Sequence, residues 1–176
     1  MPIGSYSCTA DILNEITLDN KHNADILDLG IGNGYNGVSL RNYDKNYNID
    51  GVEVWENYKN FMWEAYNNVY LKNMLDFEPS IKYDYIIITD VIEHVPMKEG
   101  KEFIDKIKNW LNPNGKIFIS TPAVWIEQHT HEGNVHETHH CLWTNEDFIE
   151  HGYECRRDGS LCKYNHAMLL YVYQLS

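Results

Sequence analysis

The chain alternates between short apolar runs and segments with helical spacing. Residues 7–18 place Ile12, Leu13 and Ile16 on one face of a helix. "ADILDLG" (24–30) is a short apolar run that stops at glycine, the form of a strand. "GYNGVSLRNY" predicts a helix after it, and "IDGVEVW" (49–55) a second strand. From Trp55 to Val69 the apolar positions Trp55, Tyr58, Met62, Ala65, Tyr66 and Val69 again follow helical spacing. "VYLKNMLDF" reads as a third strand. "YDYIIITD" (83–90) is apolar almost throughout, which suits a strand covered on both faces of a parallel sheet. Residues 98–111 turn Phe103, Ile104, Ile107, Trp110 and Leu111 inward along an amphipathic helix. "LNPNG" breaks it, and "KIFIST" (116–121) is a fifth strand. Thr144 with Asp147 has the form of a capping box, opening a short helix that ends near Gly152. "YECRRDGSLCKY" and "HAMLLYVYQLS" predict two closing strands, joined partly through Asp158-Gly159.

Strands alternating with helices predict an α/β fold, a parallel sheet with both faces covered. Ligands in such sheets sit at the carboxyl ends of the strands. The loops after Leu29, Val54, Met74, Thr89 and Ser120 are therefore the functional edge. A length of 176 residues predicts one domain, with residues 1–20 as an N-terminal helix. No apolar run approaches the roughly 20 residues of a membrane span. "MPIGSYSCTADIL" lacks the basic start of a signal peptide, so a cytoplasmic protein is expected.

Net charge adds a constraint on partners. At −12 it repels phosphate backbones, argues against nucleic acid and favours cations. The cysteines, Cys8, Cys141, Cys155 and Cys162, form no C-x-x-C pair. Reduced thiols are expected, although Cys155 and Cys162 flank "RRDGSL" and could meet across a hairpin.

The candidate chemistry begins at "DLGIGNGYNG" (28–37). Gly32 to Gly37 spells G-x-G-x-x-G, a dinucleotide-binding turn. Asp28 to Gly34 spells D-x-G-x-G-x-G. Both follow a strand and precede a helix, and glycine permits close backbone approach. Glu53, ending the second strand, can accept hydrogen bonds from a ribose.

The wider pattern resembles the class I S-adenosylmethionine (SAM)-dependent methyltransferases over residues 24–175. "ILDLGIGNG", "GVEVW", "NMLDF", "YDYIIITDVIEHV" and "LNPNGKIFISTP" resemble that family's motifs in order. Asn114 replaces a family glycine, and asparagine tolerates left-handed φ. The resemblance implies a Rossmann-like, seven-stranded, mostly parallel sheet with helices on both faces and an antiparallel last strand. It implies that Asp28, Gly30, Gly32 and Gly34 form the loop around the methionine part of SAM. It places Glu53 at the ribose, Asp76 at the adenine amine and Asp90 near the methionine end. Only about 55 residues follow the fifth strand, too few for the extra substrate region of a hydride-transferring enzyme, so G-x-G-x-x-G reads as coincidence.

Five of the nine histidines fall in "HTHEGNVHETHHC" (129–141), inside the connection 123–143 on the functional edge. His94 follows the fourth strand. His94, His139 and His140 are candidate bases for an acceptor hydroxyl. "DVIEH" also resembles the E-x-x-E-H metal motif of ubiquinone-pathway and small-RNA 2′-O-methyltransferases, with Asp90 in place of glutamate. That resemblance implies Glu93, His94 and His140 as ligands for Mg, Mn or Zn, acting as a Lewis acid. Trp125, Trp143 and Tyr6 are candidate lining for an acceptor pocket, while His22, His151 and His166 read as surface or packing residues. The expected function is methyl transfer from SAM to a small-molecule acceptor, at oxygen. The competitors are metal-dependent 2′-O-methylation of an RNA end, a SAM-binding protein without turnover, and a nicotinamide-binding protein. The sequence leaves the oligomeric state open.

Overall fold

The computed structural model describes residues 6–158 and 168–175, with side chains from residue 8 onward. The Asp158–Gly159 turn, the Cys155–Cys162 pairing, His166 and the Tyr6 side chain fall outside them. The helices are α1 (Tyr6–Leu18), α2 (Tyr35–Tyr43), α3 (Met97–Lys106) and α4 (Asn145–Ile149). The strands are β1 (Asp25–Leu29), β2 (Asn48–Glu53), β3 (Asn68–Leu71), β4 (Tyr83–Thr89), β5 (Leu111–Pro122), β6 (Glu154–Asp158) and β7 (Met168–Gln174). They form one sheet in the order β3-β2-β1-β4-β5-β7-β6. The pairs among β1 to β5 are parallel, and β7 runs antiparallel to both β5 and β6. The expected seven-stranded α/β sheet is the one observed.

Alternation along the strands divides the core in two, because successive side chains point to opposite faces. Leu27, Leu29, Ile86, Ile88, Ile117 and Ile119 pack with Phe103, Ile104 and Ile107 of the α3 segment and Phe148 of α4. Ile26, Tyr85, Ile87 and Phe118 pack on the other face with Ile12 and Ile16 of α1 and Leu40 of α2. All seven residues of β4 are buried, as its unbroken apolar run predicts. The capping box is present, with Thr144 Oγ1 accepting from Asp147 N and the Asp147 carboxylate accepting from Thr144 N. Asn114 takes φ 62°, the left-handed conformation its place in the turn before Gly115 requires.

Three segments differ from expectation. The helix expected over 98–111 is α-helical only to Lys106, continues as a 3₁₀ turn over Ile107–Trp110, and gives way at Leu111 to β5, which takes in "LNPNG". Residues 55–69 do not form a helix but two 3₁₀ turns, Glu56–Tyr58 and Phe61–Ala65. Asn60 accepts from Met62 N through its side chain and starts the second turn afresh. Trp63 and Tyr66 then bury beneath the glycine loop while Phe61 stays exposed, so the apolar spacing serves two turns. The third strand is also shorter than "VYLKNMLDF". It ends at Leu71, and Met74–Asp76 form a 3₁₀ turn capped by the Asn73 side chain.

Candidate active site

The loop after β1 depends on left-handed backbone. Gly30, Gly32 and Gly34 take φ of 77°, 50° and 92°. A Cβ on Gly30 would lie 2.4 Å from Val91 Cγ2, so the fold excludes any side chain there. Gly30 N donates to Val52 O at 2.8 Å, and Gly32 N to Glu53 Oε2 at 2.8 Å. Glu53 Oε1 accepts from Val54 N and Trp55 N. Burial raises the Glu53 carboxyl above its ordinary value even against these three donors.

Beneath the loop lies a buried polar network. Asp28 is fully buried and accepts from Tyr66 O–H at 2.6 Å and Asn36 Nδ2 at 3.2 Å. Burial pushes its carboxyl up to about 6, with those two bonds opposing the rise. The Tyr66 oxygen in turn accepts from Gly37 N at 3.0 Å. Gly37 lies in the first turn of α2, where N–H groups lack intrahelical partners. Tyr66 therefore caps α2 from a distant segment. Trp63 Nε1 donates to Gly32 O at 2.8 Å and fixes the loop from the same side.

A cleft of about 900 Å³ opens at the carboxyl ends of the strands. That volume lies near the top of the range for one small-molecule site, leaving room for a cofactor and an acceptor. Gly30, Gly32, Glu53, Asp90, Glu93, His94, His139 and His140 all line it. Asp28, Gly34 and Asp76 are outside the lining. Asp28 holds the loop from below, and Gly34 starts α2 with a would-be Cβ 3.1 Å from Trp63. Asp76 is exposed because the 3₁₀ turn carries it away from the cleft, and Asn73, Met74 and Leu75 line it instead. Asp90 adopts φ 55°, rare for a residue with a side chain. Ser120 fixes it there, accepting from Asp90 N and donating Oγ–H to Asp90 Oδ1.

The histidines sort sharply. Donor atoms of Glu93, His94 and His139 lie within 4.8 Å of one another. His140 is not in that group, since its side chain is exposed and its backbone N–H donates to Glu93 O. His94 Nδ1 meets Thr138 O at 3.2 Å, and His139 Nδ1 meets Ile126 O at 2.7 Å. A carbonyl only accepts, so each Nδ1 carries the proton and each Nε2 keeps its lone pair. The rings stand edge to face with centroids 4.7 Å apart. Burial, then the neighbouring His139, lowers the His94 pKa. Glu93 is buried and accepts from Thr121 Oγ1. Burial, followed by Asp90, raises its carboxyl well above the ordinary range. Trp143 is a core residue, donating its indole N–H to Ile92 O, while Trp125 stands exposed beside His139.

Sequence spacing does not mark Tyr58, Trp63 or Tyr66 as site residues, and they reach the site from the distant 55–69 segment; Asn134 and Glu137 lie within the histidine-rich connection, where the histidines alone stand out. A buried tyrosine and tryptophan in an asparagine-rich stretch are, in retrospect, the only local mark.

A family profile described as a methyltransferase domain matches residues 6–152. Phosphoethanolamine N-methyltransferase of Plasmodium falciparum is 27% identical over 126 residues, 66% of this chain and 45% of that one. Pavine N-methyltransferase of Thalictrum flavum is 27% identical over 119 residues, 64% of this chain and 31% of that one. The matches thus take in less than half the length of these curated relatives. Magnesium protoporphyrin IX methyltransferase from Synechocystis, solved with bound SAM, superposes with TM-score 0.71 at 13% identity, covering 97% of this chain and 79% of that one. The glycine loop, the strand order and the profile agree, and the chain belongs to the methyltransferase-domain family with the fold of the class I SAM-dependent enzymes.

Proposed function

We propose that this enzyme transfers the methyl group of SAM to a small-molecule acceptor, at oxygen, with the His94–His139 pair as general base. The observation that carries the reading is the pair itself. Both imidazoles are pinned through Nδ1, both keep a free Nε2, and both line the cleft that holds the glycine loop. Burial keeps His94 neutral and so able to accept a proton. SAM supplies an electrophilic methyl on a sulfonium. The acceptor oxygen would bond to that carbon as the carbon–sulfur bond breaks to a neutral thioether, and a histidine Nε2 would take the oxygen's proton. Gly30 and Gly32 cradle the methionine part, Glu53 binds the ribose, and the 73–75 segment borders the adenine. Asp90 stands at the methionine end. Asp28 and Gly34 act by shaping the loop.

A second reading rests on Glu93, His94 and His139 as a divalent metal site. The donor set fits one. Each histidine is oriented through its other nitrogen, as metal ligands commonly are. Two imidazoles and a carboxylate suit Zn or Mn better than Mg. The metal would supply Lewis-acid activation of an acceptor hydroxyl. The same trio would serve the diol of an RNA end. Against that acceptor stand the −12 charge and Lys72, the one lysine or arginine lining the cleft among the described residues.

Calorimetric titration of metal-stripped protein with SAM, then NAD, each with and without Mg²⁺, Mn²⁺ or Zn²⁺, tests the cofactor. Labelled-methyl transfer to a panel of phenols, sugars and amines tests the acceptor atom. SAM binding without NAD binding, and methylated oxygen, are expected. Metal binding lost in Glu93→Ala/His94→Ala would move the assignment to the second reading. Absence of SAM binding refutes both, and methylated nitrogen refutes the oxygen assignment.

A further inference from the structure

The loop carrying His139 is tied to the cofactor side of the cleft through one tyrosine. Tyr58 O–H donates to Glu137 Oε1 at 2.8 Å, and Asn134 Nδ2 donates to the Tyr58 oxygen at 3.2 Å. Asn134 is buried although the residues around it are exposed. Gln128 Nε2 donates to Glu137 O at 2.8 Å and to Glu137 Oε2 at 3.2 Å. Gln128 O then accepts from His139 N at 3.0 Å. Every link from Tyr58 to the His139 backbone is therefore a hydrogen bond or a single residue.

The other end of this strap reaches the cofactor loop. Asn60 Nδ2 donates to both Asn33 O and Tyr58 O at 2.9 Å. Trp55, whose N–H is held by Glu53, opens the turn that carries Tyr58. A ligand that fixes Glu53 and the 30–34 loop thus fixes the base of the strap. Burial raises the Tyr58 hydroxyl far above neutrality, so it remains a donor. A hydrogen bond from a phenol to a carboxylate is stronger than a neutral pair, and this one joins two distant segments that line the cleft rather than closing a local turn.

We infer that Tyr58 and Glu137 are positioning residues that couple cofactor binding to the placement of His139, so that a bound cofactor steadies the base through this strap. The inference rests on the SAM reading above. Coupling of this kind needs a direct test rather than a chain of contacts.

Hydrogen exchange supplies it, with S-adenosylhomocysteine (SAH) as the probe at saturating concentration, so that altered affinity does not enter. In the wild-type protein SAH should slow exchange in both 30–34 and 126–140. In Tyr58→Phe and Glu137→Ala it should still protect 30–34. Protection of 126–140 should fall at least ~10-fold, the order of one hydrogen bond to a carboxylate. The double variant should lose less than the sum of the two single variants, because both remove the Tyr58–Glu137 bond, while Tyr58→Phe alone frees Asn134 Nδ2 and Glu137→Ala alone frees Gln128 Nε2 from the carboxylate. Glu137→Gln keeps an oxygen for Tyr58 and should retain the coupling. Wild-type SAH protection confined to 30–34 overturns the inference and leaves the cofactor reading standing, as does undiminished loop protection in Tyr58→Phe. Absence of SAH protection anywhere in the wild type overturns the cofactor reading as well.

Discussion

Tyr66→Phe removes one oxygen and nothing else, and the structure says that oxygen serves two buried partners. It donates to the Asp28 carboxylate at 2.6 Å and accepts from Gly37 N at 3.0 Å. A hydrogen bond to a charged group is worth about 1.5–3 kcal/mol, and an orphaned buried N–H costs about 1–3 kcal/mol. The terms share one atom and do not simply add, so a loss of about 3 kcal/mol near pH 8 is expected. The pH dependence follows from Asp28. Folded, its pKa is about 6 against the ordinary 3.8. Stability from this group is therefore greatest below 3.8 and declines as pH rises to about 6, by about 3 kcal/mol in all. Tyr66 favours the charged form, so losing it raises Asp28 further and extends the decline above pH 6. The penalty of Tyr66→Phe should thus be larger at pH 8 than at pH 5. Urea unfolding of both proteins at the two pH values measures it. A penalty below about 1 kcal/mol at pH 8, or a larger one at pH 5, would refute the network as described.

Gly30→Ala meets both a left-handed backbone and Val91 at 2.4 Å. It should weaken SAM binding at least ~10-fold by calorimetry, through backbone strain and overpacking; a change under about twofold would show that the loop can yield. His139→Ala should lower kcat for labelled-methyl transfer at least ~100-fold, the usual scale of a lost general base. His140→Ala should change it less than about threefold, because its side chain is outside the Glu93–His94–His139 group. Equal losses in the two variants would contradict the assignment of the base.

Much of the sheet was legible because burial writes itself into local pattern. The unbroken run of β4 and the glycine ending β1 announce their strands without help from the rest of the chain. Residues 55–69 were not legible, because apolar spacing cannot tell one helix from two 3₁₀ turns restarted at Asn60. The burial of Trp63 and Tyr66 under the glycine loop is a tertiary outcome. The candidate site was legible to the level of the segment rather than the residue. His139 and His140 are neighbours of one type, and only the backbone path, fixed by Gln128 O and Glu93 O, decides which ring joins His94. Asp76 shows the same limit, since the direction of a short turn is set by its cap.

The connection between β5 and α4 is clamped at both ends. At one, Pro122 sits opposite Met168 in the β5–β7 ladder; at the other, the Thr144–Asp147 capping box starts α4. Between these clamps lie the histidine-bearing loop and many of the polar groups that line the cleft. The connection is therefore a cassette whose contents can be exchanged while its seams stay in place. Grafting the equivalent stretch of another methyltransferase between residues 123 and 143 is a route to new acceptor chemistry on an unaltered cofactor platform. The grafted stretch would have to bring its own partner for Tyr58.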